Sequence, residues 1–193
     1  MLEKHVSDIY RCLRCGFCLD YSWLGNYRMC PVYDVKGFES YSAKGKILIL
    51  QALLEKKLEA NSAVVDRLFA CCDCGSCEEN CFMNIRLGEI FQEARRELVE
   101  KGFSLRGHDE MALKILETGN LLGRTDRWRW LPSKERLDVK AGTAYFIGCL
   151  SSTARSRIAR ATYEVLKALN IDFTVLSKEK CCGLPLIAIG RVE

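Results

Sequence analysis

The chain has 193 residues and a formal charge of +4; 49% of its residues are apolar and 12 are cysteines. This length suits one domain or two small ones, and no stretch approaches the roughly 18 apolar residues of a membrane span. A secreted disulfide scaffold is not expected, because the N-terminus lacks an apolar signal core and the cysteines are clustered. The thiols therefore indicate metal binding in a reducing, cytoplasmic compartment.

A first run of cysteines lies near the N-terminus. Cys12, Cys15 and Cys18 are separated by two residues each, and eleven residues separate Cys18 from Cys30, which precedes a proline. We interpret Asp20 to Met29 as an inserted loop. Its aromatic side chains either shield a metal site from water or simply pack on the domain: Tyr21, Trp23 and Tyr27.

A second run begins 59 residues after the first and has a regular spacing. Cys71, Cys74, Cys77 and Cys81 obey C-x2-C-x2-C-x3-C, which is the ligand spacing of a bacterial-type [4Fe–4S] cluster. Two intervening residues allow one tight turn to bring successive thiolates around the same inorganic core. Cys72 is surplus to this spacing, and we expect it to be a buried free thiol or a turn residue that faces away from the core.

The two runs predict two [4Fe–4S] clusters with interleaved ligands, because in two-cluster ferredoxins the fourth cysteine of a run binds the other cluster. The predicted ligands are Cys12, Cys15, Cys18 and Cys81 for the first cluster, and Cys71, Cys74, Cys77 and Cys30 for the second. Each cluster with its thiolates carries about −2, which offsets the formal charge, so no nucleic-acid partner is expected. Structural zinc is an alternative, but zinc sites generally draw two C-x2-C pairs together.

Helical patterns fill the chain between and after the runs. Ser42 is a candidate N-cap for a helix that continues to Leu58, a second helix begins near Asn61, and Ile85 to Lys101 is a third. Two lysines at the start of the first of these helices either lie near a cluster and raise its potential or, as we favour, are solvated: Lys44 and Lys46. The fold class is therefore predicted to be mainly α, with an α-helical two-cluster ferredoxin domain over residues 1–104.

Residues 105–140 are predicted to be a linker with a short helix, Glu110 to Thr118, followed by a segment rich in basic and aromatic residues. Basic residues interleaved with aromatic ones can bind single-stranded nucleic acid. We favour the alternative that Trp128 and Trp130 pack against a neighbouring domain or subunit, because no recognition motif accompanies them.

Residues 141–193 change to an α/β pattern. A buried strand from Thr143 to Ile147, a helix from Ala154 to Leu169 and a strand from Ile171 to Leu176 predict a right-handed βαβ unit with parallel strands. Three further cysteines accompany this unit, and whether they bind metal is left open: Cys149, Cys181 and Cys182.

The combination of two [4Fe–4S] runs with Cys149 and a later Cys181-Cys182-Gly183 resembles an iron–sulfur oxidoreductase family. This family includes the D-type subunit of heterodisulfide reductase and the iron–sulfur subunits of glycolate oxidase and anaerobic glycerol-3-phosphate dehydrogenase. Cys30-Pro31-Val32-Tyr33 and Lys44-Gly45-Lys46-Ile47 also look like this family. The resemblance implies an α-helical two-cluster ferredoxin domain followed by a cysteine-rich CCG-type α/β domain.

The sequence departs from the family at four places. The spacing from Cys18 to Cys30 is stretched, Cys72 is extra, and Phe82 stands where proline is usual. A complete CCG motif continues to a further C-x2-C pair and is usually present twice, so residues 141–193 correspond to a partial CCG-type domain. We therefore expect the rest in another polypeptide, a truncated chain, or a vestigial half-motif.

The resemblance implies an electron-transfer subunit that is not itself catalytic. Two [4Fe–4S] clusters would relay electrons between a flavoprotein partner and a disulfide or quinone acceptor. One alternative is a catalytic heterodisulfide-reductase-type subunit whose CCG site is completed by another chain, and another is a structural zinc adaptor. The expected partners are other oxidoreductase subunits, and the expected location is the cytoplasm, with membrane association only through a partner.

Overall fold

The computed structural model describes residues 2–21 and 27–191 of the chain. Packing divides the chain into two units, one formed by Met1–Leu105 with Leu186–Glu193 and the other by Arg106–Pro185. Each unit has its own hydrophobic core. Helices dominate the described residues, so the mainly α prediction is confirmed, whereas the predicted domain boundaries stay a prediction.

The first unit is a group of packed helices. Its elements are α1 (Val6–Tyr10), β1 (Asp20–Tyr21), β2 (Tyr27–Arg28), α2 (Pro31–Lys36), α3 (Ala43–Leu54), α4 (Ser62–Phe69), α5 (Ser76–Glu79) and α6 (Leu87–Glu100). Short 3-10 turns at Leu2–His5 and Glu39–Tyr41 precede α1 and α3. Helices α3, α4 and α6 contact one another, and their fully buried side chains form the core: Ile47, Leu50, Leu68, Ile90 and Phe91.

Side-chain hydrogen bonds fix where α3 and α4 begin. The Ser42 hydroxyl accepts from the Gly45 amide at 3.1 Å, and the Asn61 side-chain oxygen accepts from the amides of Ala63 and Val64 at 2.9 and 3.1 Å. These acceptors satisfy amides that have no partner inside the helix. Ser42 is the N-cap that the sequence predicts, and α4 begins where a second helix is expected, at Asn61 or Ser62. Helix α3 ends at Leu54, before the predicted Leu58.

A hairpin accommodates the long spacing between Cys18 and Cys30. Strands β1 and β2 pair antiparallel, and the Met29 amide donates to the Leu19 carbonyl at 2.8 Å. The two ends of the insertion therefore lie close together beside Leu19. Cys30 is the next residue after the second end. The aromatic side chains predicted to shield a metal site lie outside the described side chains: Tyr21, Trp23 and Tyr27.

The second unit contains a small parallel sheet. Its elements are α7 (Arg106–Thr118), β3 (Thr143–Tyr145), α8 (Cys149–Thr153), α9 (Ser156–Ala168) and β4 (Phe173–Val175), and α10 (Leu184–Ala188) follows them in the chain. Thr143 lies opposite Phe173 and Tyr145 opposite Val175, with α9 between the two strands in the sequence. This is the predicted βαβ order. The core side chains of this unit are Trp130, Ile147, Ala159, Tyr163, Phe173 and Val175.

Strand β3 is more exposed than the sequence predicts. Thr143 and Ala144 are exposed, whereas every residue of β4 is buried. The reason is that β4 also bridges Leu137 on its other side, while β3 pairs only with β4 within the described residues. Strand β3 therefore lies at the edge of the sheet, where side chains have fewer neighbours.

Residues inside the predicted linker contribute to this second core. Trp130 is buried, and its ring meets that of Tyr163 edge to face with the centroids 6.1 Å apart. The Arg136 carbonyl accepts from the Val175 amide at 2.7 Å and so extends the sheet. Helix α7 begins at Arg106, before the predicted start at Glu110.

Candidate functional site

The two cysteine runs fold into loops with the same backbone pattern. In each loop, the second and fourth residues after the first cysteine have positive φ. These are Arg14 at 56° and Gly16 at 87° in the first loop, and Asp73 at 51° and Gly75 at 79° in the second. Left-handed backbone is uncommon for residues other than glycine, so its recurrence at equivalent positions shows that the sequence repeat is also a structural one.

The first loop lines a cavity in the first unit. Four cysteines line this first cavity: Cys12, Cys15, Cys18 and Cys81. Phe17 and Phe82 line it too, with their rings edge to face and the centroids 4.5 Å apart. Phe82, which stands where the resembled family has proline, therefore adds an aromatic wall to the cavity. The structure thus gathers the four cysteines predicted for one cluster, while their role as ligands stays a prediction.

The second loop lines a separate second cavity of about 250 Å³. The cysteines around it include the four predicted for the other cluster and one more: Cys30, Cys71, Cys74, Cys77 and Cys72. Cys72 is exposed, so the alternative of a buried free thiol is wrong; the residue also lines the second cavity. The left-handed turn at Asp73 accounts for this, because it leaves the Cys72 thiol within hydrogen-bonding reach of Cys74.

Crowding makes the free thiols hard to ionise. Burial raises the pKa of the Cys18 thiol to about 11, and Cys12 and Cys15 add to the rise. Burial also raises the pKa of the Cys77 thiol to about 12, with further contributions from Cys71, Cys18, Cys74 and Cys30. Four thiolates in such a space repel one another unless a cation binds them. The donor set therefore fits an iron centre, which binds cysteine as thiolate.

Two arginines hold the first loop in place. Arg11 donates through Nη2 to the Met83 carbonyl at 2.9 Å, which ties the start of the first run to the segment after Cys81. Arg14 donates through Nη2 to Gln51 Oε1 at 3.0 Å. The loop is therefore fixed both to α3 and to the segment that supplies the fourth cysteine of the first cavity.

A buried arginine holds the second loop, and the sequence interpretation missed it. Arg95 on α6 is 1% exposed, and its Nη2 lies 2.6 Å from each carboxylate oxygen of Asp73. Its Nη1 donates to the Cys71 carbonyl at 3.2 Å. The sequence signal that could have revealed this burial is the position of Arg95, directly after Ala94 and inside the apolar stripe of α6. Such a residue needs a carboxylate partner when it is buried.

Lys46 is buried, contrary to the predicted solvated position. It is 1% exposed and lines the second cavity, and its Nζ donates to the Tyr41 carbonyl. The Cys30 thiol donates to the same carbonyl at 4.0 Å. The start of α3 packs on the Glu39–Tyr41 turn, which removes Lys46 from water. Lys44 lines the first cavity, so both lysines lie beside cysteines.

The second unit brings two of its three cysteines together. The Sγ atoms of Cys149 and Cys181 are 3.9 Å apart, Cys149 is buried, and Cys182 is exposed. Burial raises the pKa of the Cys181 thiol, and the neighbouring Cys149 adds to the rise. A disulfide has its sulfurs about 2.05 Å apart, so this pair is unbonded but close enough to share a metal or to form a bond after a small movement.

A buried ion pair, also missed from the sequence, positions both cysteines. Glu179 accepts from the amides of Ile147 and Gly148 at 2.8 and 2.9 Å, directly before Cys149. Its carboxylate lies 2.5 Å from Arg127 Nη2, and both side chains are buried. Because Glu179 stands two residues before Cys181, one carboxylate fixes the two segments that carry the cysteine pair.

The described part of the chain holds neither a mononuclear metal site nor a membrane-spanning helix. Within residues 2–21 and 27–191, no three His, Cys, Asp or Glu side chains are arranged to hold a single metal ion. None of the helices in the described part of the chain combines the length and hydrophobicity that crossing a bilayer requires.

Both ends of the chain match known domain families. Residues 8–85 match the 4Fe-4S dicluster domain, and residues 143–193 match the cysteine-rich domain. No solved structure matches the chain.

Several curated proteins are similar to this chain. It is 30% identical to the D-type subunit of the dihydromethanophenazine:CoB--CoM heterodisulfide reductase of Methanosarcina acetivorans, over 97% of this chain and 49% of that protein. It is 24% identical to a probable glycolate oxidase iron-sulfur subunit of Bacillus subtilis, over 92% of this chain and 49% of that protein. It is 33% identical to the C-type subunit of the anaerobic glycerol-3-phosphate dehydrogenase of Escherichia coli, over 44% of this chain and 22% of that protein. The chain spans about half the length of the first two relatives.

Proposed function

We propose that this chain is an electron-transfer subunit. The premise is that it combines the 4Fe-4S dicluster domain with the cysteine-rich domain of iron–sulfur oxidoreductase subunits. Proteins similar to it are named as subunits of heterodisulfide reductase, glycolate oxidase and glycerol-3-phosphate dehydrogenase. Iron–sulfur clusters supply one-electron transfer when bound. The chain's own residues hold them, shield them from water and adjust their potential.

The observation that carries the proposal is the interleaving of the two runs. Each cavity is lined by the first three regularly spaced cysteines of one run and by the fourth of the other, and Cys72 lines the second cavity in addition. We assign one cluster to Cys12, Cys15, Cys18 and Cys81, and the other to Cys30, Cys71, Cys74 and Cys77. Ala43 lines both cavities, so the two sites are neighbours. Such proximity favours electron transfer between the two sites.

The walls of the two cavities differ in their side chains. Phe17 and Phe82 form an aromatic wall at the first cavity, and Phe82 is 69% exposed. The second cavity has the buried ammonium of Lys46 beside it. A positive charge stabilises the more negative, reduced form of a nearby centre, so Lys46 raises the reduction potential of the second site.

We propose that electrons pass between a flavoprotein partner and a disulfide or quinone acceptor. The named activities of the relatives, a disulfide reductase and two dehydrogenating or oxidising enzymes, support these two ends of the relay. In this proposal the chain docks on other oxidoreductase subunits in the cytoplasm and reaches a membrane only through a partner. No nucleic acid takes part.

Metal analysis of the anaerobically purified chain tests the cofactor. Two [4Fe–4S] clusters require about eight iron and about eight acid-labile sulfide per chain. After reduction with dithionite, we expect two interacting S = ½ centres in the EPR spectrum. Zinc without sulfide would refute the proposal and support the structural zinc adaptor.

Serine variants of the two fourth cysteines test the ligand assignment. Cys81→Ser should change the same EPR signal as Cys12→Ser, and Cys30→Ser the same signal as Cys74→Ser. Cys72→Ser is the matched control, because Cys72 lines the second cavity but stands outside the ligand spacing, and it should leave the iron content unchanged. A Cys81→Ser spectrum that matches Cys74→Ser would contradict the interleaved assignment.

A second candidate function is favoured by the Cys149–Cys181 pair. With sulfurs 3.9 Å apart, these cysteines suit a catalytic heterodisulfide-reductase-type site completed by another chain. In that case a third iron signal appears when the partner is added, and Cys181→Ser with Cys182→Ser abolishes it. Under the relay proposal the double variant keeps both cluster signals and no third signal exists.

A further inference from the structure

The second unit holds a cavity that neither cluster proposal uses. This arginine cavity has a volume of about 420 Å³, within the range of about 300–1,000 Å³ that is typical of small-molecule sites. Two segments of the unit line it, residues 124–130 and residues 152–160.

The charge of the arginine cavity is strongly positive. Four arginines line it, against one acidic residue, Asp126: Arg124, Arg129, Arg157 and Arg160. No ion pair of these four arginines is found within the described residues, whereas many other arginines of the chain have a carboxylate partner. The four arginines are exposed to solvent, and their unpaired guanidinium groups make this space positive, so an anion that enters it is stabilised.

The backbone adds to this positive potential. Ser156 and Arg157 are the first two residues of α9, which has 13 residues. The first amides of a helix have no partner inside it and carry partial positive charge, which favours an anion at that end. The hydroxyl of Ser156 is a further donor at the same end.

An unpartnered buried donor also lines the cavity. Trp130 is 5% exposed, and its indole N–H is buried without a hydrogen-bond partner in the described part of the chain. A buried N–H of this kind usually has an acceptor. This N–H has almost no accessible surface, so Trp130 belongs to the buried wall of the cavity and the arginines are its ligand-facing donors.

We infer that the arginine cavity binds a small oxyanion of charge −2 or more, such as a phosphate-bearing or dicarboxylate ligand. The guanidinium fork matches both groups with paired hydrogen bonds. The cavity lies within the second unit and is lined by none of the cysteines, so this inference is independent of the proposed electron relay.

Isothermal titration of the full chain, purified anaerobically, tests the inference at an ionic strength of about 0.15 M. Inorganic pyrophosphate and malonate are the two probes, and their relative affinity distinguishes a phosphate site from a dicarboxylate site. At least one probe should bind at one site per chain. Arg157→Gln and Arg160→Gln should each raise its dissociation constant about tenfold, because each removes a charged hydrogen-bond donor.

Arg155→Gln is the matched control, because it removes the same charge two residues from Arg157 but outside the cavity wall. The dissociation constant of the probe for Arg155→Gln should differ by less than about twofold from that for the unchanged protein.

Three results would overturn the inference. They are the absence of binding by either probe, an equal loss of affinity in Arg155→Gln and Arg157→Gln, and tight binding of a single-stranded oligonucleotide with no binding of either probe. The last result would assign the basic surface to nucleic acid instead.

Discussion

At the scale of single residues, the second cavity is distinguished by two buried cations. Arg95 and Lys46 are each 1% exposed, and they come from α6 and α3. Arg95 holds the cysteine loop by its ion pair with Asp73. Lys46 and the Cys30 thiol both donate to the Tyr41 carbonyl, which places them side by side. Arg95 therefore positions the second cysteine loop, and Lys46 places a positive charge next to the second cavity.

Replacing Arg95 with methionine should destabilise the protein strongly. The substitution leaves the Asp73 carboxylate and the Cys71 carbonyl without their partner, and breaking a buried ion pair in this way costs about 3–5 kcal/mol. Urea unfolding of the cluster-free chain measures the change in the free energy of unfolding.

The neighbouring Arg96→Met is the control for Arg95→Met. Arg96 pairs with Glu100 at a partly exposed surface position, and loss of such a pair changes the free energy by less than about 1 kcal/mol. Equal effects of the two substitutions would contradict the loop-holding role of Arg95.

Glu179→Gln tests the ion pair that positions the second cysteine group. The variant keeps one acceptor for the Ile147 and Gly148 amides but leaves Arg127 buried without its counter-charge. We expect a loss of about 3 kcal/mol in the free energy of unfolding. In a Cys182→Ser background, cross-linking of Cys149 to Cys181 by a short bifunctional thiol reagent should also slow.

Glu164→Gln provides the comparison, because Glu164 is exposed on α9. It should leave both the unfolding curve and the cross-linking rate unchanged. If Glu179→Gln behaved in the same way, the carboxylate would have no part in placing the cysteines.

At the scale of elements, the position of α3 depends on one glycine. A Cβ on Gly45 would lie 2.2 Å from the Glu39 carbonyl oxygen and 2.6 Å from Ser40 Cα. The helix therefore packs directly against the backbone of the Glu39–Tyr41 turn. That turn in turn supplies the Tyr41 carbonyl that both Lys46 and Cys30 contact.

Gly45→Ala should destabilise the first unit although alanine favours helices. Alanine gains about 1 kcal/mol in a helix interior, but the turn must move, and overpacking typically costs about 1–3 kcal/mol. Because the backbone itself is in the way, we expect a net loss of at least about 1 kcal/mol in urea unfolding, together with reduced occupancy of the second cluster.

Gly107→Ala is the matched substitution in α7. Nothing lies within 4 Å of a Cβ at Gly107, so this change should be neutral or stabilise by as much as about 1 kcal/mol. Stabilisation of both variants would show that α3 tolerates displacement from the turn.

At the scale of the whole molecule, the proposed clusters join segments that are far apart in the sequence. The first cavity combines residues 12–18 with Cys81, and the second combines Cys30 with residues 71–77. Removing iron therefore removes cross-links between these segments and restores repulsion among crowded thiols that ionise.

Hydrogen exchange should show that loss of iron affects one unit more than the other. After chelation under anaerobic conditions, amide protection should fall in the loops around residues 12–18 and 71–81 and in α2. Protection of α9 and β4 in the second unit should stay the same, because their core contains no proposed cluster ligand. Equal loss of protection in α9 would mean that the cavities of the first unit do not hold the clusters alone.

Local signals in the sequence were enough to predict much of the fold. Ser42 was predicted as an N-cap and a second helix was predicted to start at Asn61 or Ser62. Both starts are local, because a cap acts on amides only two or three residues away. Alternating and helical apolar patterns predicted the parallel βαβ order, which β3, α9 and β4 follow. Ligand spacing predicted the cofactor class, since two-residue intervals reflect the geometry of the cubane rather than the rest of the fold.

Burial of polar residues was decided only by the tertiary structure. Lys46, Arg95, Arg127 and Glu179 occupy buried positions whose partners stand between 5 and 52 residues away in the chain. Partners on distant segments leave no local pattern in the sequence. The position of Cys72 at the second cavity likewise depends on the left-handed backbone of Asp73. The sequence by itself thus determined the iron–sulfur class of the protein and predicted its ligand thiols. The packing decided which charges surround those thiols, because burial depends on the segments that meet in space.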